Sequence, residues 1–458
     1  MPKHLILCDC LGSQTIDPEA MEKACGLTCS RLHSSLCTDQ IEFAAKAIQA
    51  GDAIIACQQE HRRFEDLADE IGASAPGFVD LRDRAGWTRD KGSKLAKMAA
   101  LAAEAALTVP QGRSVDVISE GVCLIVGAPD AALSAARDLC EILSVTVLLD
   151  RAAEQPPDER FDTIRGVLKR ADGALGGFSV RIDALQQIVP GGRGEPQYTA
   201  PKDGGTSDCD IILDLSGGTP LFSAPDKREG YLRADPKSAP AVASAVLQAS
   251  QLTGTFEKPL YVRLEASLCA HSRAGKVACT NCLDICPDGA ILPNGDHVTI
   301  DPMICAGCGA CAAVCPSGAV SYDAPPVDVI FRRIETLART FREAGGGAPR
   351  LLVCDTGHGR EMISLSARYG DGLPADVIPL AVEALAGFGH AEMLAALACG
   401  FSSIDVLVAP TTERDALMRE LALAEAIAGP DKLRLLDLGD PDALSDALYE
   451  VSEQSVVS

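Results

Sequence analysis

The chain has 458 residues, of which 47% are hydrophobic and 4% aromatic, and a formal net charge of −23. That length allows about three domains of roughly 150 residues, and the hydrophobic share is ordinary for buried globular cores. The acidic balance excludes nucleic acid as an expected partner, because no basic surplus exists to displace phosphate counterions. No apolar run is long enough for a spanning helix. The opening stretch MPKHLILCDCLGS reads as neither a signal peptide nor a membrane anchor, so the expected location is cytoplasmic. In that compartment thiols stay reduced, and the 19 cysteines are expected to be metal ligands and small buried apolar residues rather than disulfides.

In chain order, HLILC (4–8) and DAIIAC (52–57) read as buried parallel strands, with IEFAAKAIQAG (41–51) an amphipathic helix closed by Gly51. GFVDLRD (77–83) is a further strand, and a helix is expected over about Lys91 to Leu107. Residues 121–150, GVCLIVGAPDAALSAARDLCEILSVTVLLD, predict strand, turn, helix and strand. The pattern weakens over 151–235, where GGFSVRIDALQQIV alternates like a half-exposed strand and PGGRGEP and PKDGGTSD are loop chemistry. A helix over about Ala239 to Leu252 leads into EKPLYVRL. After a cysteine-dense block at 261–323, a helix over Val327 to Ala344 precedes four strands, RLLVCD, ADVIPL, SIDVLVAP and LRLLDLG, separated by helices. The expected fold is multidomain α/β, with a Rossmann-like N-terminal region, an inserted α+β segment and a doubly wound C-terminal domain. Its expected divisions are 1–115, 116–258, 259–325 and 326–458.

The block carries the most specific signal. Cys305, Cys308, Cys311 and Cys315 follow C-x₂-C-x₂-C-x₃-C, with Pro316 next, and CPSGAV at Cys315 is echoed by CPDGAI at Cys286. Cys279, Cys282 and Cys286 fill the last three places of the first half, but its first place holds Lys276, which cannot be a ligand. Cys269 is the natural substitute across a longer step, with His271 the alternative. Short steps wrap backbone amides around the sulfurs of a cubane, and the proline turns the chain away after the fourth thiol. Paired zinc sites are the competing reading, though they would not need the cysteine-proline handover. Arg263, Arg273 and Lys276 surround the loop, where they either tune a cluster, face an acidic partner or are simply solvated.

The block resembles the two-cluster bacterial-type ferredoxin domain. That resemblance implies two 4Fe–4S clusters, one on Cys269, Cys279, Cys282 and Cys315 and the other on Cys286, Cys305, Cys308 and Cys311. CDCLG, LCTDQ, IIACQQEHRRF and VDLRDRAGWTRD resemble the N-terminal region of the A subunit of heterodisulfide reductase. On that resemblance Cys10, Cys37 and Cys57 are motif cysteines, and with Cys8, Cys25 and Cys29 they are candidates for a third iron–sulfur site; buried or loop thiols are the alternative. Such segments precede a flavin domain in that family. Here the fingerprint turn reads VGAPDAALSAA, where Gly127 keeps the first glycine position, Pro129 replaces the second and Ala132 the third. Pro129 removes an amide and Asp130 adds negative charge where a pyrophosphate would bind, so neither flavin nor NAD is expected. GFGHAEMLAALACGFSSIDVLVAP resembles the delta subunit of methyl-viologen-reducing hydrogenase, but Cys354 stands without a paired cysteine and Cys399 falls in a helix. His358 and His390 read as structural or solvated.

A pair of clusters without open coordination sites implies a conduit for single electrons. The leading expectation is an electron-transfer protein that couples a redox enzyme, of formate dehydrogenase or hydrogenase type, to another carrier. A non-catalytic accessory or assembly factor for such an enzyme is the second reading. A flavin-dependent oxidoreductase is disfavoured by the VGAPDAA turn.

Overall fold

The apolar runs read from the sequence become short parallel strands at both ends of the chain. In the computed structural model, residues 3–152, 158–189, 197–273 and 275–457 are described, with side chains as far as residue 450. The chain is mixed α/β and divides into two compact units. The first comprises Met1–Gln111, Cys308–Cys315 and Pro325–Ser458; the second comprises Gly112–Gly307 and Pro316–Ala324. The four segments expected from sequence divide the chain more finely.

In the first unit, His4–Ile6 lies between Thr28–Cys29 and Ala53–Ile55, with Gly77–Phe78 at the edge, all parallel. A second parallel sheet runs Val377–Val382, Arg350–Asp355, Ser403–Leu407, Leu433–Leu436. One core joins them: Leu5 and Ile54 from the first sheet, Leu101 and Leu337 from helices, Leu351 and Val406 from the second. The helices Leu95–Ala105 and Val327–Glu343 meet in it, and Ala99, Ala100 and Ala102 are fully buried on the first. Methyl side chains let the elements approach closely and fill the interior at native density. Lys97 shares that helix and is only 1% exposed, with its Nζ donating to Pro374 O at 3.0 Å. Desolvation pushes its amine down to about 7.

GFVDLRD is a strand only over Gly77–Phe78. The Asp80 carboxylate accepts the Asp83 amide at 2.9 Å, and a π-helical turn over Arg82–Gly86 follows. Its bonds run from Gly86 N to Leu81 O at 2.7 Å and from Trp87 N to Arg82 O at 2.8 Å. The local side-chain bond diverts the backbone from the ladder.

The second unit is built on a seven-stranded sheet. Val122–Gly127, Ser144–Leu149, Ile211–Leu215 and Tyr231–Arg233 are parallel, and Asp162–Asp172 joins them alongside Ser144–Leu149. Phe178–Gln187 and Gly205–Cys209 extend that side antiparallel. The expected strand, turn, helix and strand over 121–150 is present, with the helix at Pro129–Leu139. Pro129 starts that helix, where its missing N–H is not needed. A side chain at Gly127 would lie 2.7 Å from Leu215 O, so close packing on the neighbouring strand requires glycine here. The alternation in GGFSVRIDALQQIV is real: Phe178, Val180 and Ile182 are buried while Ser179 and Arg181 are exposed. PGGRGEP lies outside the described residues. EKPLYVRL forms parts of two strands, Gly254–Pro259 and Val262–Leu264. No helix among the described residues is long and apolar enough to cross a membrane.

Candidate functional site

The cysteine block is framed by two antiparallel pairs: Ile291–Asn294 with His297–Ile300, and Val262–Leu264 with Val320–Tyr322. The second pair brings the two ends of the block together.

Cys269 is buried directly after the short turn Ala266–Leu268. The described residues between it and Cys279 are tied back onto one another. Arg273 Nε donates to Cys269 O at 2.8 Å, Ala278 N donates to His271 O at 2.7 Å, and His271 Nδ1 lies 2.9 Å from Cys279 O. His271, the alternative ligand, is itself buried and braces this loop through its Nδ1. Cys282 is buried on the short helix Asn281–Ile285, and Cys286 follows that helix in extended conformation.

Cys286 and Cys305 lie close enough to feel each other's charge. Burial raises the Cys305 thiol, while the Gly307 amide donates to its sulfur and opposes that rise. An amide aimed at a cysteine sulfur is the arrangement a thiolate ligand needs. The cations near this pair are buried: Lys258 acts on Cys305 and is bonded to Glu229 at 2.7 Å, and Arg228 acts on Cys286 while donating to Asp288 O at 2.7 Å. The positive φ of Gly307, 77°, lets the backbone pass the Tyr261 ring, which a Cβ would meet at 2.5 Å.

Cys308, Cys311 and Cys315 belong to the first unit, with Cys311 buried on the short helix Ala310–Ala313. Gly309, at φ +79°, packs on Gly387; a Cβ there would lie 2.9 Å from Gly387 Cα and 3.0 Å from Ala384 Cβ. Gly309→Ala is expected to destabilise the protein by roughly 1–3 kcal/mol through strained φ and overpacking, read as a lowered denaturation midpoint.

Four of the six N-terminal cysteines named from the sequence line one cavity of about 220 Å³: Cys8, Cys10, Cys37 and Cys57, with Gln14 and Arg82 beside them. Cys8 and Cys57 follow the strands His4–Ile6 and Ala53–Ile55, at the C-terminal edge of a parallel sheet where open α/β sheets present ligand crevices. Burial raises the Cys37 thiol and pushes Cys57 up to about 11, and each feels the neighbouring thiols. Arg82 Nη1 donates to Cys10 Sγ at 3.2 Å while its guanidinium stacks on Trp87, 4.3 Å from the ring centre. Cys10 and Leu11 both hold positive φ, 53° and 60°, which non-glycine residues adopt at a cost and which clusters at functional sites. Cys25 and Cys29 stand apart from this cavity. Among the described residues, no three His, Cys, Asp or Glu side chains converge as they would on a single metal ion.

The C-terminal candidates are engaged structurally. Cys354 is 1% exposed within its strand, and burial pushes its thiol up to about 12. Cys399 caps the helix His390–Ala398 and packs against the core. The His358 amide donates to Asp355, and His390 Nδ1 pairs with Glu420 Oε2 at 2.5 Å.

Residues 277–319 match the 4Fe-4S dicluster domain family. No curated protein matches the chain. The matched segment is a ferredoxin-type domain, and it marks the chain as a binder of 4Fe–4S clusters suited to electron transfer.

Proposed function

We propose that this chain carries two 4Fe–4S clusters and relays single electrons between a redox enzyme of formate dehydrogenase or hydrogenase type and another carrier. The observation that carries the reading is the dicluster match, which contains Cys279, Cys282, Cys286, Cys305, Cys308, Cys311 and Cys315. Cys269 lies before it and joins on the strength of its buried position in the loop shared with Cys279. The ligand sets are Cys269, Cys279, Cys282 and Cys315 for one cluster, and Cys286, Cys305, Cys308 and Cys311 for the other. When bound, the clusters supply one-electron transfer. The protein's own part is to hold eight thiolates, to aim amides such as that of Gly307 at sulfur, and to place the cations Lys258 and Arg228 nearby.

On the same reading, 259–325 is the ferredoxin-type insert, 1–115 and 116–258 are heterodisulfide-reductase-A-like and Rossmann-like scaffolds without flavin or NAD, and 326–458 is a hydrogenase-delta-like docking domain. The cavity of four thiols supports a third iron–sulfur site on Cys10, Cys37 and Cys57, with Cys8 as the fourth ligand. The proposed location is the cytoplasm.

Anaerobically purified protein should contain about eight irons for the two clusters, or about twelve with the third, and should give interacting reduced-cluster signals in electron paramagnetic resonance. Zinc, or about four irons, would overturn the two-cluster reading. Reduction by a physiological donor should be fast and reversible. If only artificial donors reduce the protein while a partner enzyme matures poorly without it, an accessory role replaces the carrier role.

Lys258→Met removes a buried positive charge near Cys305. It is expected to lower the reduction potential of the adjacent cluster by on the order of 60 mV, the size of a tenfold change for a one-electron couple. Redox titration followed by paramagnetic resonance measures that shift; an unchanged potential would remove Lys258 from the tuning role.

A further inference from the structure

Cys25 and Cys29, in the sequence CGLTC, lie on the N-terminal side of the first sheet. Cys25 ends the helix Pro18–Cys25 and Cys29 ends the strand Thr28–Cys29, which pairs with the start of His4–Ile6. Gly26, at φ 71°, reverses the chain between them. The Cys29 thiol donates to Leu27 O at 3.6 Å and lies close enough to the Cys25 sulfur to lower its pKa, as does the Leu27 amide. Glu22 Oε2 accepts the Cys29 amide at 2.8 Å and so fixes the second cysteine against the helix. Cys25 also forms part of the wall of an open cavity of about 450 Å³, with Lys23, Thr336, Thr340, Arg339 and Glu343. A cavity of this size is within the range that holds small molecules. Its walls offer both cationic and anionic side chains.

We propose that Cys25 and Cys29 form a thiol–disulfide exchange site that takes small disulfides bearing both carboxylate and ammonium groups, of amino-acid or short-peptide type. Cys25 is the attacking thiol because it lines the cavity, and Cys29, which does not line it, is the resolving thiol. The Cys25 thiolate attacks one sulfur of the substrate, the S–S bond breaks, and one thiolate leaves and takes up a proton. Cys29, as its thiolate, then attacks the Cys25 sulfur and expels the second substrate thiolate, which is protonated in turn. The protein dithiol is oxidised to a disulfide, and one substrate disulfide is reduced to two thiols. The contact with the Cys29 thiol and the Leu27 amide hold Cys25 below the ordinary thiol value, against burial and the Glu22 carboxylate, while the same contact and burial raise Cys29 until Cys25 is consumed in the mixed disulfide. An attacking thiol is most effective when its pKa lies near the ambient pH.

The test uses the full, cluster-loaded chain and oxidised glutathione at neutral pH without oxygen, followed by alkylation, trypsin digestion and mass spectrometry. Residues 24–31, ACGLTCSR, hold both cysteines in one tryptic peptide. The wild-type peptide should appear unalkylated and lighter by two hydrogen atoms, with two glutathione thiols released for each disulfide formed. Cys29→Ser should trap one glutathione on Cys25, at least about tenfold faster than on the partly exposed Cys140. Cys25→Ser should leave Cys29 unreacted on that time scale. The proposal is overturned if the wild-type peptide stays alkylatable at both positions. It is equally overturned if Cys25→Ser reacts at Cys29 as fast as Cys29→Ser reacts at Cys25, or if Cys25→Ser lowers the iron content, which would make the pair iron ligands. Because the readout is a peptide mass, it stands whether or not the dicluster reading does.

Discussion

Cys282→Ala is expected to leave the chain with about half of its dicluster iron, roughly four atoms in place of about eight. Cys282 is buried in the matched segment on a short helix between Cys279 and Cys286, so no solvent ligand can readily replace it. In the proposed ligand sets it serves only one cluster. The remaining cluster should keep its resonance but lose the broadening caused by a paramagnetic neighbour. Cys140→Ala is the control, since Cys140 caps the helix Pro129–Leu139 outside both sets and should leave the iron unchanged. If Cys282→Ala retains the full iron content, the assignment of thiols to clusters is wrong.

Lys97→Met should stabilise the protein by about 2–4 kcal/mol at neutral pH. Lys97 is buried with Pro374 O as its hydrogen-bond partner, and desolvation, only partly offset by Asp376 and Asp90, holds its amine down to about 7 against an ordinary value of 10.5. Each unit of such a shift corresponds to about 1.4 kcal/mol. Losing the bond to Pro374 O returns about 1 kcal/mol of that gain. The sign of the pH dependence follows from proton counts. Between about pH 7 and 10.5 the unfolded chain binds a proton that the folded chain does not, so wild-type stability rises with pH. Below about pH 7 both states are protonated and the penalty is constant. The variant lacks this term, so its advantage in guanidinium denaturation should shrink as the pH is raised from 7 towards 10. An advantage that does not change with pH would mean that Lys97 is charged in the folded protein.

What the sequence revealed depended on how far each pattern was local. RLLVCD and DAIIAC are uninterrupted apolar runs, and the strands fell where they did. Asp162–Asp172 escaped because only Ala171 along it is buried, so the strand has neither a run nor a clean alternation. Ile211–Leu215 is wholly buried, yet Asp214 breaks the run. Tyr231 donates to that carboxylate at 2.5 Å, a partner no local pattern could supply. The dicluster spacing was legible because the cysteines of the matched segment are close in sequence, and a cubane would dictate such steps. Cys8 and Cys57 were grouped only through a resemblance and together with Cys25 and Cys29, which stand apart, because a parallel sheet brings together strand ends nearly fifty residues apart and spacing alone does not show it. The available signal was a cysteine closing each of the two strand runs, HLILC and DAIIAC. GFVDLRD misled because a side-chain bond from Asp80 outcompeted strand pairing after two residues.

The glycine-on-glycine seat of Gly309 against Gly387 limits how this protein can be rearranged. The stretch carrying Cys308, Cys311 and Cys315 is fitted to a surface made by residues more than seventy positions downstream. It is therefore not a portable cassette. Grafting it onto another carboxy-terminal half, or excising it for separate production, would require carrying its glycine seat along, and recombination in nature meets the same restriction.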